Sequence, residues 1–538
     1  MPLLKINEIA AKASIPEQYV EPYGFYKAKI DSAYAETLKN RPDGKLVLVT
    51  AITPTKAGEG KTTTSIALQE GFGKLHVPSM LCLREPALGP VFGVKGGATG
   101  GGKASIGPSE DINLHFTGDM HALTSSINLI SAVLDNSLFH GNPLNIDPNH
   151  VVWKRAMDMN DRSLREITIG QGGKNGVERK DGFVITVASE MMAILCLATD
   201  AEDFLARLSR IIVAYTFEGK PVTVKDLRCT HAVMKLMKEA LKPNLVQTLE
   251  NEPCLVHGGP FANIAHGCNS LMATKLALKM APIVITEAGF AADLGAEKFL
   301  DIVCPEGGLH CDAVVMVATI RALKMHGGVA FESLSEENVP ALKEGMANLE
   351  THLENMKKYG LPVVVAINHF ASDTEAETRF VEDWCDAHGY VYSFVDGFEK
   401  GGEGATDLAK KVQMVLHTTP SHYHPLYDRH MALQAKIETI CHEIYRAGEV
   451  IYTPQAEAQL KQYASMGYAD AYICMAKTPN SLTDNPKIYG APRNFPITIR
   501  EVNLSAGANF VIPLTGQIMT MPGLPTVPAA IKMEDEPW

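Results

Sequence analysis

The segment from Thr53 to Thr63 has the residue types and spacing of a phosphate-binding loop. It reads Thr-Pro-Thr-Lys-Ala-Gly-Glu-Gly-Lys-Thr-Thr and departs from the P-loop pattern G-x-x-x-x-G-K-[ST] only at the first glycine, where Thr55 stands. Glycines let backbone N–H groups close around phosphate oxygens, and the following helix adds the partial positive charge of its N-terminus. We therefore expect Lys61 to reach the β- and γ-phosphates of a nucleoside triphosphate and the Thr62 hydroxyl to bind Mg²⁺. The predicted nucleotide-binding residues are Thr55, Lys56, Ala57, Gly58, Glu59, Gly60, Lys61 and Thr62. An ordinary glycine-rich turn between a strand and a helix is the alternative.

An arginine and a second glycine-rich loop follow the next apolar run. Arg84 and Glu85 come directly after Met80–Leu83. Arginine suits a carboxylate or a phosphate because its planar fork can bond two oxygens at once. The segment Gly93–Lys103 then has six glycines in eleven residues and two lysines, which allows a close backbone approach to an anion. The alternative is a surface loop with a surface ion pair.

Two carboxylates could complete a magnesium site. The apolar run Ile283–Thr286 ends at Glu287, and Asp293 follows after a short turn. A P-loop enzyme needs a second carboxylate that holds Mg²⁺ directly or through water. Glu287 and Asp293 are both candidates, although either could instead cap the next helix.

Two aromatic residues follow two later apolar runs. Phe370 comes after Val363–Asn368, and Phe398 comes after Val391–Val395 and before a glycine-rich turn. Aromatic rings on loops after successive strands can enclose a flat heterocycle. Core packing is the alternative for both rings.

A third dense loop, His257–Gly267, combines glycines and a proline with two histidines and an amide. No carboxylate or cysteine partner stands near these histidines at the spacing of a zinc site. The loop could therefore line the site or serve only the structure.

The elements that must position these residues alternate between strands and helices. Predicted strands are Lys45–Ala51, Met80–Arg84, Val184–Val187, Ile211–Tyr215, Ile283–Thr286, Ala313–Val317, Pro362–Ile367 and Val391–Val395. An amphipathic helix lies between two of them, with Leu342, Met346, Leu349, Leu353 and Met356 on one face. This alternation predicts an α/β fold, in which ligands bind at the carboxyl ends of parallel strands. We expect a parallel-sheet domain like that of P-loop-containing nucleoside triphosphate hydrolases, with additional α/β domains.

The sequence has no internal repeat and no low-complexity linker that would mark a domain boundary. We place the nucleotide-binding region at residues 1–365, with an inserted or adjoining α/β domain at roughly 120–250. Residues 366–538 form the second region, at the carboxyl-terminal end of the chain.

Composition excludes several classes of function. The 538-residue chain has 46% apolar residues and a net charge of −12 with no basic block, so we expect no nucleic-acid partner. The longest apolar stretch is short and interrupted by Ser189 and Glu190, which argues against a membrane partner. The ten cysteines form no C-x-x-C pair, and Met1–Lys5 lacks the apolar core of a secretory signal. These features favour the cytoplasm.

Taken together, these loops resemble the formate–tetrahydrofolate ligase family over nearly the whole chain, from about Lys5 to Ala530. The segments that carry the resemblance most specifically are Gly93–Lys103 and Val317–Gly328. Further matches are Glu110–Asp119, His257–Gly267 and Met519–Pro525.

The resemblance implies a reaction in which ATP, formate and tetrahydrofolate give 10-formyltetrahydrofolate, ADP and phosphate through formyl phosphate. It implies catalytic roles for Lys61, Arg84 and Glu85 and a pterin sandwich of Phe370 and Phe398. Residues 366–538 would then be the folate-binding α/β region. Lys95, Gly96 and Gly97 would form the loop around formyl phosphate. The family is also a homotetramer that a monovalent cation, potassium or ammonium, activates.

The chain departs from the family at three positions. Thr99 stands where alanine is usual, Lys103 where tyrosine is usual, and Phe398 where tryptophan is usual. A smaller ring at position 398 offers less stacking area to a pterin.

Three other classes of protein share parts of this pattern. A P-loop switch ATPase would explain Lys61 and the adjoining threonines, but not the loop Gly93–Lys103. A P-loop ligase for another small carboxylate would explain both features. A binding protein without catalysis conflicts with the intact Lys61, Thr62 and Arg84.

Overall fold

One large sheet organises the protein in the computed structural model, which describes residues 2–95 and 98–535. Twelve strands belong to this sheet. In chain order they are β1 (Val20–Pro22), β2 (Ala28–Ile30), β3 (Lys45–Ala51), β4 (Ser79–Leu83), β5 (Gly100–Gly101), β6 (Ala104–Gly107), β7 (Asn244–Thr248), β8 (Pro253–Val256), β9 (Ile283–Glu287), β10 (Ala313–Ala318), β11 (Val363–Asn368) and β12 (Val391–Val395).

The centre of the sheet is parallel. Its strand order is β1-β2-β7-β8-β4-β9-β3-β10-β11-β12, and every neighbouring pair from β8 to β12 runs in the same direction. Strands β1, β2 and β7 add an antiparallel margin, and the hairpin β5–β6 pairs with β7. The carboxyl ends of seven strands, among them β3, therefore meet along one edge.

Helices cover both faces of the sheet. In β3, Leu46 and Leu48 belong to one apolar cluster, while Val47 and Val49 belong to the other. This alternation follows from the two-residue period of a strand buried on both sides. The mixed α/β architecture predicted from the sequence is confirmed.

Five helices lie next to the edge at which the parallel strands have their carboxyl ends. They are α1 (Lys61–Lys74), α2 (Ile320–His326), α3 (Val339–Lys358), α4 (Glu375–His388) and α5 (Thr406–Thr418). Helix α3 is the amphipathic helix predicted from the sequence, and its five predicted apolar residues are all buried. Helix α4 begins with a capping box of Thr374 and Glu377, which satisfies N–H groups that the first turn leaves unpaired.

The remaining elements surround this core. The other α-helices are Ile6–Lys12, Ala33–Leu38, Leu88–Pro90, Ser109–Asn113, Asp119–Phe139, Glu190–Leu197, Ala201–Arg210, Thr230–Met237, Leu271–Met280, Cys304–Gly307, Gly397–Lys400, Leu433–Ile440, Pro454–Tyr463 and Ala529–Lys532. Strands outside the large sheet are Ile146–Val151, Arg155–Met157, Ile167–Ile169, Arg179–Asp181, Phe183–Ile185, Ile212–Thr216, Pro221–Thr223, Glu449–Tyr452, Tyr472–Ile473, Pro496–Ile499, Glu501–Ser505 and Phe510–Leu514.

Two predicted strands lie outside the large sheet. Within the described residues, Phe183–Ile185 pairs only with Arg155–Met157, and Ile212–Thr216 belongs to a small antiparallel sheet. The predicted boundary between residues 365 and 366 falls within β11, and β12 extends the same sheet beyond it. The division into two regions stays a prediction. Across residues 2–95 and 98–535, none of the helices combines the length and the apolar character needed to cross a bilayer.

Candidate active site

The predicted site residues lie at the carboxyl edge of the parallel strands. Arg84 follows β4, Glu287 ends β9, and Phe370 and Phe398 follow β11 and β12. The predicted nucleotide-binding segment, residues 53–62, follows β3 and is called the nucleotide loop below. Glu287 is on β9, directly next to β3, and Phe398 follows β12, three strands from β3. Because β9 separates β3 from β4 and β10 separates β3 from β11, the nucleotide loop lies two strands from Arg84 and from Phe370. Adjacent strands are about 4.8 Å apart, so this offset is about 10 Å.

The nucleotide loop is held in shape by a buried carboxylate. Glu59 Oε1 accepts a hydrogen bond from the Thr55 N–H at 2.6 Å, and Glu59 Oε2 accepts one from the Thr319 hydroxyl. The Asn368 amide donates to the Glu59 carbonyl at 3.1 Å. Glu59 therefore holds the loop in shape and does not present its carboxylate to a ligand.

Backbone geometry at the end of the loop requires glycine. Gly58 and Gly60 have φ angles of 77° and 75°, a region that side chains disfavour. A side chain at Gly60 would also collide with Asn368. Helix α1 starts at Lys61 directly after this turn, so its N-terminus faces the loop.

The Thr62 hydroxyl lies against one of the two candidate carboxylates. Thr62 Oγ1 is 2.9 Å from Glu287 Oε2 and 3.1 Å from Glu287 Oε1. The other candidate, Asp293, is buried and forms an ion pair with Lys477 at 3.0 Å. Among the contacts of the described residues, Glu287 and not Asp293 forms a hydrogen bond with Thr62. This contact distinguishes the two acids that the sequence left open.

The Arg84 side chain reaches the loop His257–Gly267 and keeps a hydrogen-bond donor that has no acceptor among the described residues. Its Nη1 donates to the Pro260 carbonyl at 3.2 Å and lies close to Gly289, where a side chain would collide with the guanidinium. Within the described part of the chain, the buried Nε has no acceptor. The guanidinium can therefore receive a further oxygen ligand.

Glu85 points away from Arg84 into a buried charged cluster. Burial and the neighbouring Asp119 carboxylate raise the pKa of Glu85 well above its usual value, although Lys29 opposes this shift. Asp119 itself pairs with Lys29 at 2.8 Å and accepts a hydrogen bond from the Asn244 amide at 2.8 Å. Burial and the Asp119 carboxylate both favour the protonated form of the Glu85 carboxyl group.

The two histidines of the third loop are buried and neutral. His257 Nε2 is 2.7 Å from the Ala240 carbonyl, so it carries the proton, and Nδ1 accepts from the Ser270 hydroxyl at 2.6 Å. Burial lowers the pKa of His257 to about 4 and that of His266 to about 3. His257 has both ring nitrogens occupied and serves the structure of the loop.

The two predicted pterin-binding rings have different surroundings. Phe370 is half-buried, and the guanidinium carbon of Arg321 lies 5.3 Å from its ring centroid. Phe398 is 54% exposed and lies against Gly101 and Gly102 of the hairpin β5–β6. The Lys103 N–H donates to the Phe398 carbonyl at 2.9 Å, which ties that hairpin to the Phe398 loop.

The predicted formyl phosphate loop is only partly described. Gly96 and Gly97 lie outside the described residues, and Lys95 ends a helical segment, Val91–Lys95. Of the positions that depart from the family, Thr99 is buried and contacts the Ser109 hydroxyl, whereas Lys103 is exposed.

Several residues at the site were not identified as functional from the sequence. Thr319 and His326 contact the nucleotide loop, and Lys29 neutralises the cluster below Glu85. Thr319 and His326 belong to the segment Val317–Gly328, whose resemblance to the family was the available signal. Nothing in the sequence around Lys29 indicates its partner, because Asp119 is distant along the chain.

Among residues 2–95 and 98–535, no group of three or more histidine, cysteine, aspartate or glutamate side chains is arranged to hold a metal ion. The family model for formate–tetrahydrofolate ligase matches residues 1–536, which is essentially the whole chain. The chain therefore belongs to the formate–tetrahydrofolate ligase family and is an ATP-dependent ligase that joins formate to tetrahydrofolate.

Proposed function

We propose that the ligase activates formate at the edge between β4 and β3 and transfers the formyl group toward β11 and β12. Two observations carry this assignment: Thr62 pairs with Glu287 at the end of β9, the strand between β3 and β4, and within the described part of the chain the Arg84 Nε has no acceptor. A triphosphate on the nucleotide loop would direct its γ-phosphate toward the arginine, two strands away. Lys61 is the proposed ligand of the β- and γ-phosphates.

Magnesium fits the residues at the start of α1. A hydroxyl and a carboxylate are the hard oxygen ligands that Mg²⁺ prefers, and it usually keeps several waters. Thr62 and Glu287 supply these oxygens at 2.9 Å from each other, and Asp293 is already paired with Lys477. When bound, the ion would neutralise charge on the phosphates. Glu287 is therefore the proposed second carboxylate.

Arg84 is the proposed ligand of formate. A formate oxygen attacks the γ-phosphorus, the bond from that phosphorus to the β,γ-bridging oxygen breaks, and ADP leaves with formyl phosphate in place. The guanidinium holds the carboxylate in line and offsets charge on the transferring group. Lys95, Gly96 and Gly97 are proposed to surround the formyl phosphate. Glu85 is proposed to fix the arginine's strand end, because its own backbone N–H donates to the Gly258 carbonyl at 2.7 Å.

The second step takes place on the side of the aromatic residues. N10 of tetrahydrofolate attacks the formyl carbon, the carbon–oxygen bond to phosphate breaks, and the N10 proton must leave. Glu85 is buried beside Asp119, Asp119 is paired with Lys29, and His257 has both ring nitrogens in hydrogen bonds. We therefore assign the proton to the departing phosphate. Phe370 and Phe398 are the proposed walls of the pterin site.

The topology also supports a fold of the P-loop nucleoside triphosphate hydrolase type. The nucleotide-loop strand β3 lies between parallel strands β9 and β10, and the strand bearing the second carboxylate is its neighbour. A homotetramer, activation by potassium or ammonium, and a cytoplasmic location are further proposals that rest on family membership and composition. Sedimentation and cation titration of activity test the first two.

One assay tests the proposed function against its rivals. ADP release should require both formate and tetrahydrofolate, with one 10-formyltetrahydrofolate formed for each ADP. ADP release that needs neither would indicate a P-loop ATPase. Release supported by acetate or another small acid in place of formate would indicate a ligase for another carboxylate.

A further inference from the structure

Helix α2 connects two loops of the site and has no role in the reaction as described so far. It follows β10, which lies between β3 and β11. The nucleotide loop follows β3, and the Phe370 loop follows β11. The helix is therefore next to both loops at the carboxyl edge of the sheet.

One side of α2 holds the nucleotide loop. His326 Nδ1 accepts a hydrogen bond from the Gly490 N–H at 3.1 Å, so its proton is on Nε2. That Nε2 donates to the Thr53 carbonyl at 2.8 Å. Burial lowers the pKa of His326 to about 4, which keeps the ring in this neutral form. Asn348 and His352 of α3 also bond to Thr53, at 3.2 Å each.

The other side of α2 holds the Phe370 loop. Lys324 is buried, and its Nζ donates to Glu377 Oε1 at 2.8 Å and to the Glu336 carbonyl at 2.8 Å. Glu377 Oε1 also accepts from the Asn338 N–H at 2.9 Å, while Oε2 accepts from the Thr374 N–H at 3.2 Å. One ion pair thus joins the start of α4, five residues after Phe370, to α2 and to the start of α3.

The two contacts diverge from one short helix. Residues two apart on an α-helix point about 200° apart, so Lys324 and His326 face nearly opposite directions. A buried ion pair adds little net stability, and its value is in fixing a geometry. Transfer from formyl phosphate to N10 demands such a geometry, because reacting atoms must approach to about 3–3.5 Å.

We propose that Lys324 and His326 are positioning residues that fix the folate loop and the nucleotide loop, respectively, to α2. His326 acts on ATP through Thr53, and Lys324 acts on tetrahydrofolate through Glu377 and the Phe370 loop. This inference rests on the proposed assignment of those two loops to ATP and to the pterin.

The test compares the effect of each substitution on the KM for tetrahydrofolate with its effect on the KM for ATP. Lys324→Met should raise the KM for tetrahydrofolate roughly tenfold and change the KM for ATP less than about twofold. His326→Leu should do the reverse. His326→Gln, which retains a donor and an acceptor, should restore most of the loss. A residue that only supports the fold would move both constants together.

A second variant covers the case in which Lys324→Met does not fold. Glu377→Gln keeps an oxygen for Lys324 and Asn338 but replaces the acceptor of the Thr374 N–H with an amide donor. It too should raise the KM for tetrahydrofolate selectively. Arg179→Met is the matched control, since Arg179, like Lys324, is a buried cation in an ion pair, here with Asp135 and Asp181. It should lower Tm and leave the ratio of the two constants unchanged.

The outcomes separate this inference from the proposed function. If Phe370→Ala raises the KM for tetrahydrofolate but Lys324→Met and Glu377→Gln do not, the coupling role of Lys324 is overturned. If Phe370→Ala itself has no effect, the pterin loop is assigned wrongly and the Lys324 role is overturned with it. If Lys61→Ala lowers activity but His326→Leu leaves the KM for ATP unchanged, the His326 role is overturned.

Discussion

At the scale of single residues, Lys61 has the most direct role in the account. It is the first residue of α1 and follows the left-handed turn at Gly60. Lys61→Ala should lower kcat by about 10²–10³, because one electrostatic contact to the transferring phosphoryl group is lost. Steady-state assays check this, with circular dichroism to show that the fold is intact.

Lys180→Ala is the control for removal of a lysine. Lys180 is exposed and pairs with Glu166 on the surface at 3.2 Å, so its loss should leave activity and stability nearly unchanged. A Lys61→Ala enzyme with near-normal turnover would contradict the assignment of Lys61 to the phosphates.

Arg84 separates the handling of formate from the handling of ATP. Arg84→Ala should raise the KM for formate and lower kcat, while calorimetry should find ATP binding nearly unchanged. Arg84→Lys keeps the charge but lacks the planar fork, so it should recover only part of the activity. Collapse of ATP affinity with intact use of formate would assign Arg84 to the nucleotide site instead.

At the scale of elements, α1 is sensitive to pH through its packing on the Phe398 loop. Glu70 of α1 is buried against Gly401 and Gly402, and Glu250 lies nearby and accepts a hydrogen bond from the Gly402 N–H at 3.0 Å. Burial and the charge of Glu250 raise the pKa of Glu70 from 4.5 to about 8. The folded protein therefore retains a proton that the unfolded chain releases.

The sign of the effect follows from this retained proton. The contribution of Glu70 to the free energy of unfolding falls as pH rises from about 4.5 toward about 8, because the folded state binds more protons than the unfolded chain in that range. Above about pH 8 this contribution levels off. Glu70→Gln removes the titrating group. Its free energy of unfolding relative to wild type should increase by about 1–2 kcal/mol between about pH 6 and about pH 8. Urea titrations at the two pH values measure this, and a constant difference would contradict it.

The loops after β11 and β12 are the second pair of elements that can be tested. Phe370→Ala should weaken tetrahydrofolate binding and spare ATP binding. Phe398→Trp should tighten tetrahydrofolate binding by roughly 0.5–1.5 kcal/mol, since a larger ring adds stacking area. Equilibrium titration with tetrahydrofolate measures both. Unaltered affinity in Phe370→Ala would mean that its ring only packs against Arg321 and its neighbours.

At the scale of the whole molecule, the sequence predicted the strands and loops better than their contacts. Strands β3 and β12 have the predicted bounds, because apolar runs between turn residues leave little freedom. Strands β7 and β8 were not predicted, since Asn244–Thr248 carries polar residues and Pro253–Val256 is short. The pairing of Asp293 with Lys477 joins residues far apart in the chain, and no local pattern encodes such a contact.

The central claim is that this arrangement activates formate by phosphoryl transfer before it meets tetrahydrofolate. Turnover with ¹⁸O-labelled formate tests it most directly, because the attacking formate oxygen remains on phosphorus when the formyl carbon is transferred. Each phosphate released should carry one labelled oxygen, detected as an isotope shift in the phosphorus resonance. Phosphate without label, formed together with 10-formyltetrahydrofolate, would contradict the account.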